Sequence, residues 1–147
     1  MTLTVEDRLV LQDLVHRYAA YVDERHVDGA VALFTADGVL ATARPPKHLD
    51  PVDEHVGHEA VRAALSAVEA LPLTVHAVTG TVFDAHPDGA RGRVVCTASH
   101  VSEHGDVRWS VRYLDRYVPV GGTWRIARRE LHVDTVEVRP LKAFRSR

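Results

Sequence analysis

Four long segments with the residue pattern of β-strands fill the second half of this 147-residue chain, and they constrain its fold more than any other feature. Short turn signals separate them. These are Pro87-Asp88-Gly89, His104-Gly105 and Gly121-Gly122. We predict strands over 73–83, 91–101, 107–118 and 123–138. Because consecutive strands joined by tight turns pair with each other, the pattern predicts an antiparallel meander.

The first half has the pattern of helices. Thr4 is a suitable N-cap, and apolar residues then recur at helical spacing until Asp23, which falls at the edge of the stripe near the helix end. The stripe consists of Leu11, Leu14, Val15, Tyr18 and Val22. Further helices are predicted over 27–34 and 57–71, with a short strand over 39–43 between them. The segment 44–56 contains three prolines and is predicted to be a loop.

Helices followed by strands favour an α+β fold, with the helices packed on one face of a largely antiparallel sheet. The length favours one domain, which we place at residues 1–138. Residues 139–147 form a basic tail that we expect to be frayed.

Composition excludes several classes of protein. The formal net charge is −2, so the chain lacks the basic field of a nucleic-acid-binding protein. No apolar run approaches the roughly 20 residues that span a bilayer, and the N-terminus lacks the pattern of an export signal. The single Cys96 excludes an intramolecular disulfide. We therefore expect a cytoplasmic protein with neither a membrane nor a nucleic acid as its partner.

The strand over 107–118 carries a carboxylate on its apolar face. Alternation places Asp115 on the same side as Trp109, Tyr113 and Tyr117. A carboxylate there costs several kcal/mol unless it is paired, hydrogen-bonded or protonated. Asp115 is thus either a pocket residue or a structural partner of an arginine such as Arg128 or Arg129.

Two neighbouring strands suggest a cavity. Small side chains accompany His100 on one face of the preceding strand, and they could leave room for a ligand. They are Val94, Cys96 and Ala98. On the last strand, the alternation changes phase between Ile126 and Leu131, so we predict a bulge near Arg128-Arg129 that bends the sheet.

An ordered set of short motifs resembles the SnoaL-like proteins of the nuclear transport factor 2-like superfamily. The motifs are Tyr18-Ala-Ala-Tyr-Val-Asp23, Asp28-Gly-Ala-Val-Ala-Leu-Phe34, Asp37-Gly38, Gly57-His-Glu-Ala-Val61, Thr74-Val-His76, Arg112-Tyr-Leu-Asp115 and Gly122-Thr-Trp-Arg-Ile126. The resemblance implies a cone in which a curved sheet surrounds a cavity closed by helices. It also implies a homodimer. The superfamily contains dehydratases, isomerases, epoxide hydrolases, cyclases and binding domains, so the fold does not choose a function.

The resemblance also implies site residues. In the scytalone dehydratase-like branch, an aspartate late in the first helix and a histidine on the first long strand form a catalytic pair, and Asp23 and His76 match them. His100 lies on the strand that carries a second acting histidine, about one pleat repeat away. The tyrosine that precedes the aspartate in that branch is replaced here by Val22. Asp115 resembles in placement the acid–base aspartate of SnoaL-type cyclases.

These residues predict an enzyme that needs no cofactor and no metal. A histidine oriented by an aspartate is a general acid–base, and a tyrosine hydroxyl can stabilise an enolate oxygen. Elimination, isomerisation and aldol-type cyclisation all begin with that enolate. The substrate would be a small, apolar, oxygenated molecule resembling a polyketide or steroid. Its candidate contacts are Tyr18, Tyr21, Trp109, Tyr113 and Tyr117.

Other interpretations stay open. Each of these residues has a structural alternative, as a satisfied core or helix-end group. A binding protein with the same cavity and no chemistry is one alternative function. Epoxide hydrolysis is another, and it requires two aspartates around an arginine, for which Asp115 with Arg112 or Arg129 would supply part. His55-Val-Gly-His58 lacks an established metal-binding spacing, so we interpret it as part of a solvated lid.

Overall fold

The computed structural model describes residues 2–147 as three α-helices, a 3₁₀ helix and six strands. In chain order they are α1 (Val5–Asp23), α2 (Val27–Ala32), β1 (Phe34–Arg44), β2 (His48–Val56), α3 (His58–Ser66), the 3₁₀ helix (Ala67–Ala70), β3 (Leu73–His86), β4 (Gly89–Ser102), β5 (Gly105–Val120) and β6 (Thr123–Arg139). The sheet order is β2-β1-β6-β5-β4-β3. The predicted α+β class and the antiparallel meander of β3 to β6 are confirmed.

Helix α1 begins and ends where the sequence predicts. The hydroxyl of Thr4 accepts the backbone N–H of Asp7 at 3.0 Å, and the carboxylate of Asp7 accepts the N–H of Thr4 at 2.9 Å. This capping box satisfies two otherwise unpaired donors. The predicted apolar stripe is buried against the sheet, which leaves Asp23 at the C-terminal end of the helix.

The core lies between the helices and the inner face of the sheet. Residues with almost no exposure from both layers meet there: Leu11, Val15, Phe34, Val61, Val94, Val111 and Ile126. The sheet is curved and does not close. On β6, Ala127 has no partner because Arg116 pairs with Arg128 and Tyr117 pairs with Ile126. This irregularity, together with a second at Asp134, confirms the predicted bulge and bends β6.

The segment predicted as a loop contains a strand. β2 covers His48–Val56 and pairs antiparallel with β1, in which Leu40 lies opposite His55. Pro51 is tolerated because it lies in the irregular stretch between the paired residues His48 and Asp53, at an edge of the sheet. The prolines led to the prediction of a loop where β1 and β2 form a hairpin, because the pairing of β2 depends on β1.

Other boundaries differ from the prediction as well, and β3 to β6 each extend one to three residues beyond their predicted ends. α2 ends at Ala32 and not at Phe34, and β1 is longer than the predicted 39–43. Part of the reason is that β1 pairs in parallel with β6, a long-range contact that no local pattern reveals. The third predicted helix divides into α3 and the 3₁₀ helix. None of the helices in residues 2–147 combines the length and hydropathy needed to cross a membrane.

The basic tail, which we expected to be frayed, is anchored at its end. The backbone N–H of Arg147 donates to the carbonyl of Pro72 at 3.0 Å, and the hydroxyl of Ser146 donates to the same oxygen at 3.4 Å. The tail side chains stay exposed, so two hydrogen bonds to the segment before β3 hold it.

Candidate active site

Asp23 and His76, which the sequence places 53 residues apart, are in direct contact. Nδ1 of His76 lies 2.7 Å from Oδ1 of Asp23, and the backbone N–H of His76 donates to Oδ2 at 2.7 Å. The side chains are only 10% and 12% exposed. Because the carboxylate accepts from Nδ1, the Nε2 atom of His76 is the free ring nitrogen, and it has no hydrogen-bond partner within residues 2–147.

The environment keeps Asp23 ionised. Burial on its own would raise the pKa of this carboxyl, but the hydrogen bonds and charge of His76, together with the hydroxyl of Thr74, outweigh it and lower the pKa. Asp23 therefore accepts from Nδ1 of His76 and fixes the tautomer of the neutral ring.

Two residues that sequence reasoning missed hold the pair in place. The hydroxyl of Thr74 donates to Oδ1 of Asp23 at 3.0 Å and accepts from the guanidinium of Arg25 at 2.8 Å. Arg25 also donates to the carbonyl of Leu71 at 2.8 Å. It follows α1 with a φ of 63°, a conformation that is uncommon outside glycine. Thr74 stands in the motif Thr74-Val-His76, but no local pattern shows that Thr74 or Arg25 holds Asp23, because these contacts join residues distant in the chain.

His100 lies beside His76 on the same face of the sheet. The ring centroids are 6.3 Å apart, and the ring of His100 also contacts Trp109 with a centroid separation of 4.3 Å. Nδ1 of His100 lies 2.9 Å from the carbonyl oxygen of Val107, to which it donates. Its Nε2 is therefore an acceptor in the neutral ring. The sequence places His100 about one pleat repeat from the matching family position. This offset does not keep the rings of His76 and His100 apart, because side chains at diagonal positions on adjacent strands can reach each other.

We expect His100 to titrate below the ordinary histidine pKa of about 6.5. Burial lowers its pKa most and the charge of His76 adds to this, against the hydrogen bond to Val107 and the charges of Asp106 and Asp23. The uncharged Trp109 ring covers another side. Between the lowered pKa and 6.5 the unfolded chain binds more protons, so unfolding free energy should rise with pH across that window.

The measurement is NMR titration of the histidine ring protons, with the His100 signal assigned by its loss in His100→Gln. The same variant should flatten part of the rise in unfolding free energy with pH. A His100 midpoint at or above 6.5 would contradict this prediction.

A cavity of about 430 Å³ opens between α1, α3 and the inner face of the sheet. His76 and His100 line it, as do Tyr18, Trp109 and Tyr113 of the predicted substrate contacts. Ala98 lines it as well, so the small residues predicted on β4 do leave room in part. The remaining lining is mostly aliphatic.

Asp115 does not line this cavity but forms a buried ion pair. Its carboxylate accepts from Nε and Nη2 of Arg129 at 2.9 and 2.7 Å, and the hydroxyl of Tyr117 donates to it. The side chains of Arg129 and Asp115 are 1% and 0% exposed. Of the two interpretations that the sequence left open for Asp115, the geometry supports the structural one.

The guanidinium of Arg129 stacks between two tyrosines of the cavity. Its central carbon lies 4.3 Å from the ring centroid of Tyr18 and 4.1 Å from that of Tyr113. Burial raises the pKa of both phenols, so each hydroxyl remains protonated and able to donate.

Two of the predicted substrate contacts lie outside the cavity. The hydroxyl of Tyr21 accepts from Arg17 at 3.1 Å, and its ring packs against His26. Tyr117 is engaged by Asp115 and packs against Phe83. The sequence alone could not show that Tyr18 and Tyr113 line the cavity while Tyr21 and Tyr117 do not.

The sequence interpretation of His55 and His58 as parts of a solvated lid is not supported. His58 lies 3.0 Å from the carbonyl oxygen of Phe34 through Nε2, and so donates to it. His55 lines the cavity, as does Thr42, which its Nε2 contacts at 3.1 Å. No alternation in β2 would have identified His55 as inward-facing, because the apolar Val52 and Val56 lie on the opposite, exposed face.

A curved, open sheet with N-terminal helices around a cavity is the architecture of the nuclear transport factor 2-like superfamily. The family model described as a SnoaL-like domain matches residues 3–130. The chain therefore belongs to the SnoaL-like family, as its motifs suggested.

Solved structures agree with this fold. A Mycobacterium tuberculosis protein of unknown function, Rv3472, solved as a variant with one substituted residue, is 26% identical, with 86% of this chain and 70% of that chain covered and a TM-score of 0.73. A Novosphingobium aromaticivorans protein provisionally named a scytalone dehydratase is 23% identical over 97% and 93%, with a TM-score of 0.79. An NTF2-like protein with a cystatin-like fold, from the same species, is 20% identical over 88% and 82%, with a TM-score of 0.69. No curated protein matches the chain significantly.

Proposed function

We propose that the chain is a cofactor-independent general acid–base enzyme, a dehydratase, isomerase or cyclase, that acts on a small hydrophobic oxygenated molecule such as a polyketide or steroid-like compound. The observation that carries this proposal is the His76–Asp23 pair at the wall of a largely apolar cavity, with Nε2 of His76 unpartnered within residues 2–147. Such a base needs a substrate whose acidic C–H bond lies next to a carbonyl.

The geometry supports one sequence of proton transfers. Nε2 of His76 removes the proton, and the electrons of the C–H bond pass to the carbonyl oxygen. A hydroxyl of Tyr18 or Tyr113 donates to that oxygen as its charge develops. Protonated His76, still hydrogen-bonded to Asp23, then returns the proton to a leaving hydroxyl, which departs as water, or to another carbon. Nε2 of His100 accepts a hydrogen bond that orients the substrate.

Proton exchange tests the shared first step without knowledge of the natural substrate. The enzyme is incubated in D₂O with 1-tetralone, and NMR follows deuterium incorporation next to the carbonyl. Elimination of water from 3-hydroxy-1-tetralone, which yields 1-naphthol, is followed by absorbance. Calorimetry measures binding of both compounds. A positioned acid–base should accelerate exchange by about 10²–10⁴-fold.

The same experiment separates the enzyme from the alternative, a small-molecule-binding protein with no chemistry. Binding of the ketones without faster exchange would favour that alternative and contradict the proposed function. Epoxide hydrolysis receives less support, because the only carboxylate that pairs with Arg129 within residues 2–147 is Asp115, and Arg112 pairs with Asp134. The pair of aspartates around Arg112 or Arg129 is therefore lacking in the described part of the chain. Arg128 pairs with two carboxylates, Glu54 and Glu130, but none of these three residues lines the cavity.

The proposal includes a cytoplasmic location and a homodimer, and the family resemblance implies the homodimer. Sedimentation equilibrium should give twice the 16.3 kDa mass of the chain. A monomer at micromolar concentration would remove the dimer from the proposal and leave the acid–base assignment in place, because the catalytic pair lies within one chain.

A further inference from the structure

The cavity has a second group of polar atoms that the proposed acid–base chemistry does not use. His76 and His100 belong to β3 and β4, whereas His55 and Thr42 belong to β2 and β1. The rest of the lining is mainly aliphatic and aromatic. A cavity with two separate polar groups and apolar walls favours a ligand with the same distribution of polarity.

The curvature of the sheet brings these groups to opposite sides of one cavity. β2 and β3 are the two edge strands, and four strands lie between them. In a flat sheet the edges would be about 24 Å apart, at roughly 4.8 Å per strand. Because both edges line a volume of about 430 Å³, a ligand in that volume meets His76 and His100 on one side and His55 on the other.

His55 faces inward and is held by a single contact. It lies directly opposite Leu40, which is 2% exposed, so the two side chains share the inner face of the sheet. Nε2 of His55 lies 3.1 Å from the hydroxyl of Thr42, and within residues 2–147 its Nδ1 has no hydrogen-bond partner. The ring is therefore oriented while one nitrogen remains free.

We infer that His55, oriented by Thr42, is a second recognition point that selects compact ring systems with a hydrogen-bonding oxygen at each end. One oxygen is bound by His76 and His100, and the opposite oxygen is bound by His55. This inference rests on the proposed function in that both use the same cavity, but it concerns binding and not proton transfer. It narrows the substrate class to molecules oxygenated on two opposite sides.

Calorimetry with two rigid probes tests the inference. The first is 2-naphthol, which has one hydroxyl, and the second is 2,6-dihydroxynaphthalene, which has hydroxyls at both ends. Because one additional hydrogen bond in a cavity contributes up to about a tenfold gain in affinity, the diol should bind about tenfold more tightly. His55→Leu should remove this preference. It should weaken 2-naphthol by no more than about twofold, since the His76–His100 end still accepts one hydroxyl.

Two further variants distinguish recognition from simple packing. His55→Gln keeps a hydrogen-bonding group and should retain part of the preference. Thr42→Val preserves the side-chain shape but frees the His55 ring, and it should reduce the preference, which keeps the test valid if His55→Leu folds poorly. A diol preference that survives in both His55→Leu and Thr42→Val, or equal weakening of the two probes, would overturn the inference.

These outcomes are independent of the proposed chemistry. Absence of any diol preference in a protein that still exchanges 1-tetralone would fault the inference alone. Absence of exchange in a protein that discriminates the probes through His55 would fault the proposed function alone.

Discussion

Replacement of His76 by alanine should lower the rate of α-proton exchange on 1-tetralone by about 10²–10⁴-fold, because no other cavity group within residues 2–147 combines an unpartnered nitrogen with a carboxylate partner. Asp23→Asn should give a loss in the same range. An amide that donates to Nδ1 would fix the tautomer with hydrogen on Nε2, so the base would lose the lone pair that it needs. The double variant should lose little more than either single variant, since the two residues act as a unit.

His132→Ala is the matched control. His132 lies next to Leu131 on β6 but on the opposite face of the sheet, and it contacts Asp50 at 3.0 Å through Nδ1. It is thus a second histidine–aspartate pair outside the cavity, and its loss should leave exchange unchanged. Unchanged turnover in both His76→Ala and Asp23→Asn would refute the acid–base assignment.

Asp115→Asn should reduce the free energy of unfolding by about 3–5 kcal/mol, the second large effect that we expect. The variant leaves the guanidinium of Arg129 buried without its counter-charge, and an uncompensated buried charge is the main cost of breaking such a pair. The hydroxyl of Tyr117 also loses an ionised acceptor. Urea denaturation with unchanged slope measures the difference.

An exposed pair on the same strands provides the control. Arg112 and Asp134 also join β5 to β6, at 2.9 Å, but their side chains are 44% and 47% exposed. Asp134→Asn should therefore cost about 1 kcal/mol or less. Removal of both charges in Asp115→Leu/Arg129→Met should recover much of the loss. An Asp115→Asn variant as stable as Asp134→Asn would show that Asp115 is not the structural residue described above.

The sequence predicted the elements whose local pattern and tertiary role agree. The Thr4 cap and apolar stripe of α1 set its bounds, and the turn signals indicated the meander of β3 to β6. It failed for β2, because the prolines of 44–56 indicate a loop in any local pattern. The strand forms because β1 supplies its pairing partner. Because the sequence did not predict β2, it also did not predict that His55 faces inward.

The candidate site shows the same division. The family motifs pointed to Asp23 and His76 together. Thr74 stands in one of these motifs and Arg25 in none, and neither could be assigned the role of holding the aspartate. Nor could the sequence assign Asp115, since an aspartate on an apolar strand face fits both a pocket and an ion pair. After the bulge at Ala127, the register of β6 places Arg129 opposite Asp115, and the two side chains pair.

Local patterns and family motifs were sufficient for the fold class, the order of most elements and the two residues that meet at the cavity wall. Periodicity, capping and turn chemistry act over a few neighbouring residues, so they can be read from the chain alone. Three features required the folded molecule: which tyrosines line the cavity, the neutralisation of Asp115 by Arg129, and the place of His55 in the same cavity lining as His76. These features depend on the curvature of the sheet and on which charged side chains are buried together. Curvature and burial both arise from contacts between residues far apart in the chain.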